Sequence, residues 1–466
     1  MHDEHRAWAW GEFGDIEGCD ARLKSRLIAI GSRLAESPSG TVAKVFSDLA
    51  ERQAAYDLFS NSGVRPEHVV RSIAEATMRR CSNDERIYVP IDGSSVSLSD
   101  PSHTKQLGSV GARRLPTRGL QTMTALALHA NGTPAGLLDV RFWARGAKRT
   151  KSRYERRRER DSEMKYVSES VASTLEVLPA HRAWLVIDRG GDDRVLLNEM
   201  HANGARFTVR AAQNRVVEQG GRRRKLFSVV RAGKVMGRKV LSLPATPKRR
   251  AREALVEIRT TATTLLLRSN EGEERTPLQV NVIEVLELGN RRDRIRWTLL
   301  TNAPTQTREE VDEVIRSYRL RWRIEDFHRA WKTGACDVEA IQLRSIDGVR
   351  KLATLLAAVA ARAERLKHLS RTDPDAPATI ELAEVEIRAL IVAKRQIKTR
   401  VETVPDGIPT IAQATRWIAD LGGYGGQYKK GRQPGTITIA RGLERLAIWT
   451  DARIAFEADQ PKRPAK

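Results

Sequence analysis

Cysteine is scarce: 466 residues hold only Cys19, Cys81 and Cys336. Three widely spaced thiols make neither a disulfide framework nor a zinc site. No apolar run approaches the roughly 20 residues needed to span a bilayer. The opening MHDEHRAWAWGEFGD has no basic stretch followed by an apolar core, so no secretory signal is expected and a cytoplasmic location is. A GxxxxGK[ST] phosphate loop, an HExxH motif and paired CxxC motifs are all absent, which removes the commonest nucleotide and zinc chemistries. Acidic residues are in deficit. Asp and Glu number 58 against 81 Lys and Arg, a formal net charge of +23. A balance so basic points to a polyanion, with nucleic acid the first candidate.

What is present is an ordinary globular composition, 40% hydrophobic and 30% charged, long enough for two or three domains. Residues 1–66 read as short helices, one over Ala21 to Ala35 and one over Val42 to Ser60. Such a basic helical module is either a DNA-reading head or a cap on the next domain. Strands follow at 86–92, 120–129 and 133–144, the last two joined by Asn131-Gly132. Between Arg145 and Arg160 lie nine Lys or Arg and two Glu, which reads as a solvated loop able to touch phosphates. A helix is expected near 162–178, then the strand WLVIDRGGD. From 205 to 302 the pattern is β-rich (ARFTVRAA, KLFSVVR, KVLSLP, ALVEIRTTATTLLLR, LQVNVIEVLEL, IRWTLLTN), with basic loops at 220–225 and 246–252. Helices return from Arg308 onward, and DPDAP (373–377) reads as a linker.

One stretch organises the rest. YRLRWRIEDFHRAWK, Tyr318 to Lys332, contains no Pro or Gly and favours a helix. At about 100° per residue Tyr318, Arg321, Glu325 and Lys332 share a polar stripe. Leu320, Ile324, Phe327 and Trp331 form an apolar one. A carboxylate among Arg, Lys and Tyr suits a phosphate beside a cation, although a surface helix laced with ion pairs gives the same pattern. Two further acids, Asp92 and Asp188, close strands. Three carboxylates presented this way are what a two-metal phosphoryl-transfer site needs, but strand-ending aspartates are common.

The segments IDGSSVSLSD, VIDRGGD and YRLRWRIEDFHRAWKTGA resemble the signature blocks of bacterial DDE transposases of the insertion-sequence-four group. The helix block is especially similar to the transposon-five branch, whose Tyr-x2-Arg-x3-Glu-x6-Lys signature is matched by Tyr318, Arg321, Glu325 and Lys332. The resemblance implies an α/β fold with an RNase H-like catalytic core over 67–370 carrying a β-strand insertion at about 205–302. It also implies an N-terminal helical DNA-binding domain over 1–66 and a C-terminal helical dimerisation domain over 371–466. By the same resemblance Asp92, Asp188 and Glu325 are the catalytic, metal-binding triad for two Mg²⁺ or Mn²⁺ ions. Tyr318, Arg321, Lys332, Arg210 and Arg189 hold DNA phosphates, and Trp297 stacks on a base extruded during hairpin formation. The implied activity is cut-and-paste transposition on double-stranded DNA by a homodimer, with end cleavage and strand transfer. A metal-dependent nuclease and a non-cleaving DNA-binding derivative are the alternatives. Gly190-Gly191 stands where relatives often have Glu-Ala, and Met123 where many have His.

The excess of cations carries its own expectation. If about six phosphates are neutralised, affinity for duplex DNA falls on the order of 10³-fold between 50 and 200 mM salt. A binding titration across that range checks it, and a flat response is incompatible with a backbone-led interface.

Overall fold

The computed structural model describes residues 7–100, 105–111, 117–145, 163–243, 250–268, 275–396, 404, 407–425 and 433–459. The basic loop read at 145–160 lies outside them apart from Arg145, as do parts of the basic stretches at 246–252 and 421–435. The chain divides into two compact units that interleave along the sequence. One comprises residues 1–83, 93–150 and 323–466, the other 84–92 and 151–322.

In the first unit, five helices lead: α1 (Ala7–Phe13), α2 (Ala21–Glu36), α3 (Val42–Val45), α4 (Leu49–Ser60) and α5 (Pro66–Arg80). The expected helix over Val42 to Ser60 is in fact two. Asp48 interrupts it by accepting a hydrogen bond from Glu51 N at 2.9 Å, so the chain restarts at an N-cap. Helix α5 packs on the strand β4 (Pro134–Trp143), which pairs antiparallel with β3 (Arg118–Leu128). A short β2 (Gly108–Ser109) extends the other side of β3. Contact between α5 and β4 is close because Gly136 has φ +151° and a Cβ there would meet Thr77 Oγ1 at 2.2 Å. Thr77 donates to Leu137 O at 2.9 Å, and Arg80 reaches both Ala135 O (2.6 Å) and the buried Glu12 of α1 (2.7 Å).

The same unit contains α10 (Trp322–Arg329, from Arg323 onward), α11 (Ile346–Thr372), α12 (Glu384–Gln396), α13 (Ile411–Leu421) and α14 (Thr436–Asp459). The last four pack through Leu366, Leu390, Trp417, Ile418 and Ile439. On α11, Glu364 is buried with Lys367 and Thr436 bonded to it and His368 3.5 Å away. Burial alone pushes this carboxyl up, but those partners outweigh it and hold it down at about 2. The residue boundaries expected near 66 and 371 both lie within this unit.

The second unit is built on strands buried on both faces. The first part of β1 (Ile87–Ser97) pairs parallel with β5 (Ala183–Ile187), and β5 pairs parallel with β6 (Arg206–Arg210). The runs IYV-I and AWLVI are continuous apolar segments, the pattern of a parallel strand covered on both sides. Beyond β6 the sheet is antiparallel, in the order β12 (Arg296–Thr301), β11 (Arg275–Glu287), β10 (Arg252–Arg268), β7 (Val216–Gln219) and β8 (Arg222–Lys225), with β9 (Lys234–Leu243) also on β10. Helices α6 (Glu163–Val177), α7 (Arg194–Ala202) and α9 (Arg308–Leu320) complete the unit. The expected strand KLFSVVR is instead the helix α8 (Leu226–Arg231). Leu226, Val229 and Val230 are its buried residues, an i, i+3, i+4 set that a six-residue apolar run conceals. Among the described residues no helix is long and apolar enough to cross a membrane.

Candidate active site

Asp92 and Asp188 come together through strand register. Ile91 is paired with Ile187, so Asp92 and Asp188 follow at one level of two neighbouring parallel strands, about 4.8 Å apart; β5 stops there, whereas β1 runs on to Ser97, so Asp92 does not close its strand as expected. Both are half-buried. Asp188 Oδ1 accepts from Gly190 N at 2.6 Å and thereby caps the short turn Arg189–Gly191. Gly190 thus supplies a backbone amide to this carboxylate. Arg189 itself is exposed.

Asp92 is held by a cation of the chain. Arg321 Nη1 donates to its Oδ2 at 2.8 Å, and the Arg321 guanidinium lies 5.3 Å from the Trp322 ring centroid. The continuous helix expected over Tyr318–Lys332 is not regular. It consists of α9, a break at Arg321, α10, and a π turn over Ala330–Gly334 closed by Ala335 N to Ala330 O at 2.7 Å. At the break, Arg321 N bonds Tyr318 O, three residues back. Arg321 itself keeps helical backbone angles (φ −52°, ψ −31°), so this interruption is slight and the chain passes directly into α10. The π turn winds differently, so a polar stripe extrapolated at 100° per residue does not run unchanged to Lys332. Glu325 stands in the first turn of α10, half-buried, within the first unit. In that unit Lys332 Nζ lies 3.8 Å from Glu339 Oε1, which also accepts from Ser97 N at 2.9 Å.

Trp297 and Tyr318 meet inside the second unit. Their rings are 5.4 Å apart and edge-on, and the residues are only 7% and 3% exposed. Arg210 Nη2 donates to Arg296 O at 2.9 Å, beside Trp297. Met123 is buried in β3 of the first unit.

Sequence reasoning gave Asp192 no role, yet it anchors the loop after Asp188. Its fully buried carboxylate accepts from Ala212 N (2.7 Å), Gln213 N (2.8 Å) and Arg215 Nε (3.0 Å). These bonds tie DRGGD to the chain leaving β6, so one side chain fixes both the turn that presents Asp188 and the start of the insertion. The only sequence signal was an acid four residues beyond Asp188.

The donor set fits hard divalent cations: two half-buried carboxylates on adjacent strands, where a guanidinium is already accommodated. A second group, Asp326, Glu364 and His368, brings three ligand atoms within 4.8 Å. Lys367 is already paired with Glu364 there, so that carboxylate is neutralised without a metal.

Asp192→Ala removes one partner of a buried ion pair and leaves Arg215 and two amides unanswered. It should lower unfolding free energy by about 3–5 kcal/mol, measured by urea denaturation, with Asp192→Asn costing less because it keeps an acceptor.

Residues 154–361 match the family described as transposase DDE domain, and residues 5–64 match the transposase DNA-binding family. Asp188, Tyr318, Arg321, Glu325 and Lys332 fall within the first match, while Asp92 precedes it. With this match the α/β core is RNase H-like. A transposase DNA-binding match over residues 5–64 followed by a DDE-domain match over 154–361 supports a DDE transposase.

Proposed function

We propose that the chain is a cut-and-paste transposase of the insertion-sequence-four group, cleaving transposon ends through a DNA hairpin and joining them to target DNA as a homodimer. Asp92, Asp188 and Glu325 are the triad in this reading. The observation that carries it is the β1–β5 register, which sets two carboxylates side by side with Arg321 on one of them. Mg²⁺ or Mn²⁺, two per site on those carboxylates, would lower the pKa of a bound water or 3′-hydroxyl and stabilise the leaving oxygen.

The chain's own groups do the rest. In-line displacement at phosphorus needs charge stabilisation and alignment more than a proton-shuttling side chain. A site made of acids, Arg and Lys, with Met123 rather than His, meets that need. Arg321 is placed to exchange Asp92 for a phosphate oxygen once other cations reach the carboxylate. Lys332, Arg210 and the exposed Arg189 offer further phosphate contacts, and Tyr318 backs Trp297. Base stacking requires the Trp297 ring to leave its edge-on contact with Tyr318 and face the DNA.

The test is an assay of purified protein with Mg²⁺ and DNA carrying the inverted repeats that flank its coding region. Strand transfer supports transposition, cleavage alone indicates a nuclease, and binding alone indicates a derivative that no longer cuts. Glu325→Ala should abolish cleavage and leave DNA affinity within a few-fold; an equal loss of binding rules out a role confined to chemistry. Trp297→Ala should slow hairpin formation more than the first nick, whereas equal slowing assigns the ring to packing against Tyr318.

A further inference from the structure

The insertion ends in a hairpin with a large excess of positive charge. Strands β7 and β8 are joined by Gly220 and Gly221, at φ +57° and +71°, the two positive values a two-residue type I′ turn demands. Gln219 faces Arg222 across the turn, Glu218 faces Arg223, and Val217 faces Arg224. Val217 is fully buried and Leu226 follows on α8, so the hairpin is fixed to the sheet at its base. Arg222, Arg223, Arg224 and Lys225 are all exposed, and β8 is the outermost strand.

Neighbouring cations of the insertion are treated differently. Arg252 is paired with Glu287 and Asp293, Arg259 with Glu257, and Lys239 with Asp312. Among the described residues none forms an ion pair with Arg222, Arg223, Arg224 or Lys225. Four consecutive exposed cations with a single acid, Glu218, opposite them leave a net positive ribbon that costs stability through mutual repulsion unless an external anion meets it. Residues alternating along a strand lie about 6.6 Å apart, and a two-stranded ribbon is narrow enough to enter the major groove of B-DNA.

Its position selects the part of the duplex. Counting paired strands, β8 is seven steps from β1 (β5, β6, β12, β11, β10, β7, β8). At about 4.8 Å per step the separation is at most about 34 Å, close to one turn of B-DNA. We propose that the β7–β8 hairpin grips the backbone of double-stranded DNA about one helical turn from the phosphate cut at Asp92 and Asp188, without reading sequence. The distance rests on the proposed site; the DNA grip does not.

Cations on an edge strand also deter edge-to-edge association, and the experiment separates the two roles. Full-length Arg222→Gln/Arg223→Gln/Arg224→Gln is compared with a control of equal charge loss, Arg71→Gln/Lys165→Gln/Arg388→Gln. Each control cation is paired with an acid on its own helix. Binding to a random-sequence duplex is titrated over 50–200 mM salt. The hairpin variant should lose about two units of log–log salt slope, from two phosphates at about 0.9 each. Binding should be roughly 30-fold weaker at 0.15 M, and the control slope should stay within half a unit of wild type. A loss below one unit, an equal loss in the control, or self-association with unchanged slope overturns the proposal. Binding is read without cleavage, so an inactive wild type that still shows the slope change sinks the transposition reading alone.

Discussion

Two carboxylates side by side at the end of a parallel strand pair repel one another. The register of β1 on β5, Ile87 on Ala183 through Ile91 on Ile187, imposes that arrangement on Asp92 and Asp188. The fold therefore creates a place that demands positive charge. Arg321 meets the demand on Asp92, and a backbone amide meets part of it on Asp188.

Much of the second unit serves this constraint. Between α9 and α10, Arg321 keeps helical backbone angles and donates to Asp92. Asp192 is withdrawn from the site altogether and used as a buried anchor, so that two acids four residues apart have opposite fates. The difference is one of partners: Asp192 is satisfied by two amides and Arg215, while Asp188 keeps capacity for a further ligand. Tyr318 and Trp297 pack on one another nearby, which gives the signature tyrosine a structural duty besides any contact with DNA.

The two units are not successive along the chain, since each draws on separated segments. Asp92 and Asp188 belong to one, and Glu325 to the other. The unit boundary at Trp322–Arg323 falls three residues before Glu325, next to the helix break, so the carboxylate expected to join the two aspartates is carried by a separate element.

Some of this was written in the sequence. Alternation and apolar runs placed β1, β5 and β10–β12, because burial on a sheet imposes a period of two or a continuous run. Asp92 and Asp188 after apolar runs, and the spaced residues Tyr318, Arg321, Glu325 and Lys332, carried the family resemblance. What the sequence did not contain were effects of contacts far along the chain. KLFSVVR has strand-like composition, but its apolar residues settle into a helix against β10 and β11. Arg321 keeps the helical backbone its neighbours dictate, but its partner Asp92 lies 229 residues away, which no local pattern contains. Asp192 carried no assigned role in the sequence, because the amides and Arg215 that bury it come from residues 212–215. Local chemistry decided which groups were available; the register of β1 on β5 and the path of the chain decided which of them face a common point.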